Sequence, residues 1–180
     1  MKNQEYTSKS TSINANKVPA VFTTLTNKAE KLGLTLNKSI ILDSGCGAFP
    51  QVISNHLQQF GADYAGRDPY NQPEAVNAAF IPAADRAANL GKDRIFSSSN
   101  VLNVICAAEY RADYLASIAD VMRPGEKLYI TVYEGDRSGN AGPSGDDSWQ
   151  ENRKYKSYLP EVVPFFSDVT TKYGMIIATK

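Results

Sequence analysis

Histidine is almost missing from this 180-residue sequence, with His56 the only one. One imidazole on a helix face argues against Ser-His-Asp hydrolysis and excludes a multi-histidine metal site, so His56 reads as structural. Cysteine is also scarce: Cys46 and Cys106 lack zinc-type spacing and read as free thiols of a reducing, cytoplasmic compartment. Neither charge sign is in excess. Nineteen Lys plus Arg balance nineteen Asp plus Glu, so no global field favours nucleic acid or an anionic membrane. No apolar run is long enough to span a bilayer. The first 17 residues are polar, without a signal-type apolar segment, and read as a mobile tail ahead of a single domain over residues 18–180.

Hydrophobic residues, by contrast, make up 42% of the chain, enough for one core. The organising stretch is Ser39-Ile40-Ile41-Leu42-Asp43-Ser44-Gly45-Cys46-Gly47. Its first four residues form a short apolar run with two β-branched side chains, the pattern of a buried parallel strand. It ends at an acid followed by two glycines, where the backbone can turn sharply and let a ligand lie against main-chain N–H groups. A helical pattern follows, opened by Pro50, with Val52, Ile53, His56, Leu57 and Phe60 on one face and Gly61 at its end. Strand, glycine turn and helix open a nucleotide-binding βαβ unit.

The remaining pattern alternates strands and helices. A helix opens at Pro19 and closes at Gly33. Residues 62–67 form a second strand, ending at Asp68-Pro69-Tyr70-Asn71, and an acid at that distance from the glycine turn suits ribose hydroxyls. Pro73 to Leu90 is either two short helices or a helix flanking a very short strand. Further strands fall at 94–98 and 127–133, separated by a helix with Tyr110, Tyr114, Leu115, Ile118, Ala119 and Met122 inside. Residues 137–147 read as a mobile loop. Ser148 with Glu151 forms a capping-box pattern that predicts a helix through Tyr158. Two strand-like runs around Gly174 predict a terminal hairpin. The sum is α/β: a three-layer sandwich on a mainly parallel, Rossmann-like sheet, its last strand antiparallel and its third strand poorly represented between Asn71 and Lys92, so that a reduced third strand stays open.

In this order the features resemble the class I S-adenosylmethionine-dependent methyltransferases, and the likeness covers nearly all of residues 18–180. Asp43-Ser44-Gly45-Cys46-Gly47 is similar to that family's first motif, Asp68 to its ribose-binding acid, and Ser98-Ser99-Asn100-Val101-Leu102 to the segment beside the methionine moiety. Pro124-Gly125 before the strand at 127–133 is a further shared feature. The runs Asn100 to Ile105, Val132 to Asp136 and Trp149 to Asn152 resemble short single-domain members from phages and mobile elements. The resemblance implies S-adenosylmethionine as cofactor. Gly45 and Gly47 would face its methionine end, with Asp43 bracing the turn. Asp68 would accept both ribose hydroxyls, Pro69 and Tyr70 would lie on the adenine, and backbone near Ser98, Ser99 and Asn100 would reach the amino group or the adenine edge. The sequence departs from base methylation of DNA, having no Asp/Asn-Pro-Pro-aromatic run after the fourth strand and no Pro-Cys nucleophile.

Methyl transfer needs mainly in-line positioning, with a base only where the acceptor loses a proton early. Asn100, Asn103, Tyr133, Glu134 and Asp136 are the candidates at strand ends, with Asn100, Tyr133 and Glu134 preferred as catalytic. The 135–147 loop and the helix after it would form a lid. Asp136, Trp149, Gln150, Asn152, Lys154 and Tyr155 would then face an unidentified acceptor. Three rival readings stay open: a catalytically silent protein that binds S-adenosylmethionine or a protein partner, one that sequesters or degrades the cofactor, and a dinucleotide oxidoreductase. Against the last, Pro50 occupies the third glycine position of G-x-G-x-x-G. Composition does not address oligomeric state.

Overall fold

The computed structural model describes residues 6–11 and 17–180, which group into two compact units. The domain expected over 18–180 spans both units, the division falling between Ser99 and Asn100. One unit lies within residues 12–99; the other comprises residues 1–11 and 100–180.

The first unit is built on β1 (Ser39–Ser44), buried along its whole length. It pairs in parallel with β2 (Asp63–Arg67) on one side and β3 (Asp93–Ser99) on the other. A strand flanked on both sides by parallel neighbours is buried on both faces, which explains the apolar Ile40-Ile41-Leu42. The helix expected from Pro19 breaks at Lys28 into α1 (Ala20–Asn27) and α2 (Ala29–Leu32), and Gly33 closes the second at φ 70°. Val21, Phe22 and Leu25 of α1 are core residues. Between β1 and β2 runs α3 (Pro50–Gln58), with proline in its first turn and Ile53 and Leu57 buried. Residues 71–92 contain α4 (Glu74–Ala78) and α5 (Phe80–Asn89) and no strand. The break falls at Ala79, so Pro82 is accommodated in the first turn of α5.

In the second unit, α6 (Ala108–Ala119) buries Tyr114, Leu115, Ile118 and Ala119 as its pattern predicts. β4 (Lys127–Thr131) pairs antiparallel with β8 (Met175–Thr179), and β8 with β7 (Asp168–Lys172). Tyr173 and Gly174 both have positive φ, the requirement of a two-residue hairpin turn. The expected helix from Ser148 is not formed. Residues Ala141–Gly145 are β5 and Ser148–Glu151 are β6, an antiparallel hairpin turned at Asp146-Asp147. The capping-box residues are used elsewhere. Ser148 Oγ lies 2.8 Å from Ser10 Oγ, and the Glu151 carboxylate is drawn into ion pairs with Arg111 and Arg153. A short helix α7 (Leu159–Val162) follows. Residues 6–11, expected in a mobile tail, are instead bonded to that hairpin. Ser8 is buried, its N–H donates to the Asp147 carbonyl at 2.8 Å, and its hydroxyl accepts from the Trp149 N–H at 3.2 Å. The rest of the tail lies outside the described residues, apart from Lys17.

In the first unit the strand order is β2-β1-β3, all parallel, and in the second it is β4-β8-β7, antiparallel: a mixed α/β, Rossmann-like arrangement.

Candidate functional site

The strand-end turn of the first unit is where its polar groups converge. Gly45 (φ 83°) and Gly47 (φ 68°) occupy left-handed conformations that only glycine adopts freely. The N–H groups of Gly45 and Cys46 donate to the Arg67 carbonyl at 2.8 and 3.2 Å, which fastens the turn to the end of β2. Asp43 lies beneath it, 1% exposed, accepting from Ser97 Oγ at 2.9 Å and Tyr64 Oη at 3.1 Å. Burial pushes its carboxyl up to about 7, against the two hydroxyls that favour the anion and with Asp68 adding repulsion. Burial likewise raises the Cys46 thiol well above its ordinary value, so it is no nucleophile at neutral pH.

Asp68 is the second convergence point and is 7% exposed. Its Oδ1 accepts from the backbone N–H groups of Tyr70 and Asn71, both at 3.0 Å. Its Oδ2 accepts from the Gly47 N–H at 3.0 Å and from Asn71 Nδ2 at 3.2 Å. Four donors fill the lone-pair directions of one carboxylate. Gln72 Nε2 donates to the Gly47 carbonyl at 2.5 Å, and Asn77 accepts from the Asp68 N–H at 2.7 Å. Glycine turn and acid thus form one cradle. Pro69 is exposed and Tyr70 half-exposed beside it, while Ser98 is fully buried and Ser99 partly so at the end of β3. Tyr64, Ser97, Asn71, Gln72 and Asn77 escaped the sequence reading. Asp-Pro-x-Asn is a known turn signature, but nothing in the sequence announces a hydroxyl beneath Asp43.

In the second unit, Asn100 is exposed with φ 57°, its N–H donating to the Thr131 carbonyl at 2.9 Å. The segment after β4 is clamped. Asn103 accepts the Tyr133 N–H at 3.4 Å, Gln150 Nε2 donates to the Tyr133 carbonyl at 3.2 Å, and Asn103 Nδ2 donates to Gln150 Oε1 at 3.3 Å. The Tyr133 side chain is 61% exposed. Glu134 is less suited to act as a base than its position suggested. The Tyr155 N–H at 2.9 Å holds its carboxyl below the usual range, and Arg137 at 2.6 Å lowers it further. Asp136 caps the Ser138 N–H at 2.9 Å, which also lowers it.

The residues expected to line a helical lid divide. Gln150 serves the clamp, and Asn152 packs so closely on Gly135 that a Cβ there would lie 1.8 Å from its Oδ1. The Trp149 ring rests 5.5 Å from that of Tyr6. Tyr155 caps Glu134 through its backbone, and Lys154 stays exposed. These five therefore do not share one helix face. Under them lies an ion cluster missed at the sequence level. Arg111, 6% exposed, bonds the Ile105 carbonyl at 2.7 Å, Glu151 at 2.6 Å and Glu161 at 2.5 Å. Arg153 meets the same two carboxylates at 2.6 and 2.5 Å and stacks 3.6 Å over Tyr158. Among the described residues no group of His, Cys, Asp and Glu could hold a metal ion, and no helix is long and apolar enough to cross a membrane.

No protein-family model matches the sequence, and no curated protein matches it either. Solved structures do match in fold. The 1,6-didemethyltoxoflavin-N1-methyltransferase of Burkholderia thailandensis, solved with 1,6-didemethyltoxoflavin and S-adenosylhomocysteine, superposes with a TM-score of 0.53 at 15% identity, over 90% of this chain and 79% of that one. The DhpI–SAH complex gives 0.53 at 12%, over 96% and 94%. Human N-acetylserotonin methyltransferase, in complex with SAM, gives 0.51 at 15%, over 89% of this chain but 54% of that one. The chain is similar to these in architecture, and the class so defined is the methyltransferase fold.

Proposed function

We propose that this protein transfers a methyl group from S-adenosylmethionine to an acceptor by in-line displacement. The observation that carries the reading is the cradle at the carboxyl ends of β1 and β2, where Gly47 and Asp68 meet through a 3.0 Å hydrogen bond. From β1 the chain runs to β2 on one side and then crosses to β3 on the other, so the end of β1 is a topological switch point, where ligands of open α/β sheets bind.

The residues fit the cofactor with one exchange. Gly45 and Gly47 leave room for a methionine moiety against the main chain, and Pro69 and Tyr70 offer surface to a purine. Asp68 would hold the ribose diol only if the Asn71 side-chain amide, the longest of its four donors, gives way. Asp43 ties the end of β1 to Ser97 of β3 and Tyr64 of β2, just ahead of the turn. The bound cofactor would supply an electrophilic methyl on a sulfonium, so the protein need provide no metal and no nucleophile. Ser98, Ser99 and Asn100 would hold the cofactor's amino end or adenine edge through their backbone. Tyr133, exposed on a clamped segment, and Asn100 are the assigned acceptor-orienting groups. Glu134 holds that segment rather than taking a proton. Gln150, Asn152 and Tyr155 support it, and Trp149, Asp136 and Lys154 are left to meet the acceptor.

The saturated carboxylate of Asp68 favours a second reading, a methyltransferase-fold protein without turnover that acts through a partner. Calorimetry with S-adenosylmethionine and S-adenosylhomocysteine separates the two. The proposal expects micromolar binding to both, abolished in Asp68→Ala while circular dichroism shows that variant folded. Absence of binding by the native chain would leave the fold as a scaffold.

A further inference from the structure

Asp43 is a buried acid on a sheet face that offers it no cation. It stands opposite Gly66 of β2 and Ser97 of β3, and strand alternation puts Tyr64 on the same face. Its donors, Ser97 Oγ and Tyr64 Oη, are both neutral. Arg67 and Arg94 stand on the opposite face. Arg67 bonds Ser44 Oγ at 3.1 Å and lies 4.7 Å over Phe80 of α5, and Arg94 lies 5.3 Å over Phe96. α1 meets the Asp43 face through Phe22, edge-on to Tyr64 at 6.3 Å, and carries no charged residue. Beside it, α3 brings only His56, which is 3.2 Å from Thr26 Oγ1 of α1. Asp93 shares the face but is exposed at the far end of β3. Burial drives both Tyr64 and Cys46 upward, so they stay neutral. The packing is tight: a Cβ on Gly66 would lie 2.7 Å from both Tyr64 Oη and Cys46 Cβ. Among the described residues the charge that bears on Asp43 is therefore that of Asp68, which repels its anion from within the cradle.

Asp68 shows that a charge held in the cradle reaches Asp43. A cation held there acts with the opposite sign and favours the carboxylate. S-adenosylmethionine and S-adenosylhomocysteine share an ammonium, a carboxylate and a ribosyl adenine. They differ by one methyl group and the positive charge on sulfur. Resting on the methyl-transfer reading, we propose that Asp43 tells the two apart by charge. It holds a proton while the cradle is empty or carries the neutral thioether, and gives that proton to solvent when a sulfonium is bound. A buried anion then faces the cation, with no other cation on its face to dilute the attraction. Once the methyl is gone the positive charge is gone too, Asp43 takes a proton back, and the hold on the spent cofactor weakens. Asp43 is thus a specificity-determining residue that acts through charge rather than contact.

Calorimetry with both ligands between about pH 5.5 and about pH 7.5 tests it. The quantity that decides is the ratio of S-adenosylmethionine affinity to S-adenosylhomocysteine affinity. Across that window it should rise about fivefold more in the native chain than in Asp43→Asn, which has no proton to give. Comparing the two proteins cancels the titration of the ligands' own groups. In buffers of different ionisation heat, S-adenosylmethionine should release protons from the native chain that it does not release from Asp43→Asn. Ser97→Ala removes a donor that favours the anion, so it should move the rise to higher pH. Ligands that both bind the native chain with one common pH profile would overturn the inference and leave the methyl-transfer reading standing. So would a rise that a folded Asp43→Asn retains. If Asp43→Asn does not fold, Ser97→Ala decides, and a profile unmoved from the native one overturns the inference. Binding of neither ligand would overturn the methyl-transfer reading and the inference with it.

Discussion

The two units are held together by different physics. Residues within 12–99 rely on a strand buried end to end, apolar helix faces and a glycine turn, nearly all visible as local pattern. Residues 100–180 rely on a hairpin and an ion cluster whose members, Arg111, Glu151, Arg153 and Glu161, meet across up to 50 positions of sequence. Apolar burial tolerates a shaved side chain in proportion to the volume lost. A buried ion cluster does not, because removing one member strands the charge of the others.

The sharpest way to break this comparison is Arg111→Ala. It leaves Glu151 and Glu161 short of a cation, and urea unfolding should register a loss of about 3–5 kcal/mol, typical of one partner removed from a buried pair. Replacing Arg111, Glu151, Arg153 and Glu161 together with apolar residues of similar volume should cost far less. A single Arg111→Ala loss below about 1 kcal/mol would mean that the cluster is solvated and only decorates the unit.

The first unit has its own buried charge, and it acts in the opposite direction. Asp43 is held near 7 when folded, against an ordinary value of 3.8. Between those values the folded state binds more protons than the unfolded one, so Asp43's contribution to stability declines as pH rises from about 4 to about 7 and levels off above. The slope cannot exceed about 1.4 kcal/mol per pH unit for one proton. Asp43→Asn should remove that slope, read as the difference between the two proteins' denaturation midpoints across the window. A constant difference would show that the Ser97 and Tyr64 hydroxyls outweigh burial and keep the group ionised throughout.

These contrasts explain which parts were legible in the sequence. β1, its glycines and α3 were readable because apolar period, Gly and Pro act within a few residues of themselves. The split of the first helix at Lys28 was not, since no breaker marks it. The failure at Ser148 is more instructive. Ser-x-x-Glu satisfies a local rule for a helix start, yet Glu151 gains more from Arg111 and Arg153 than from a backbone N–H, and Ser148 bonds Ser10. Of the candidate site, Asp43, Gly45, Gly47 and Asp68 come together. Those proposed around the acceptor divide, because the helix on which five of them were placed is not formed, and Trp149 and Gln150 lie in a strand instead.

A smaller effect probes the clamp after β4. Gly135 has φ 57° and packs on Asn152. Gly135→Ala should destabilise by about 1–2 kcal/mol from the left-handed backbone alone, plus whatever Asn152 costs to displace. Adding Asn152→Ala should recover only that second part. Full recovery in the double variant would show the backbone there relaxing freely.

The smallest expected change concerns the Asp68 cradle and bears most directly on function. Three of its four donors are backbone N–H groups, fixed by the chain; only Asn71 Nδ2 can leave without moving the turn. A ribose diol bound at Asp68 must compete with that amide for Oδ2. Asn71→Ala removes the competitor at the cost of one hydrogen bond, worth about 1 kcal/mol. Affinity for S-adenosylhomocysteine should then hold or rise by up to about fivefold, while the melting temperature falls slightly. If affinity falls instead, Asn71 is itself holding the ligand or the turn that receives it. Asp68 would then be the structural tie of the glycine loop, and the diol would have to be recognised by another group.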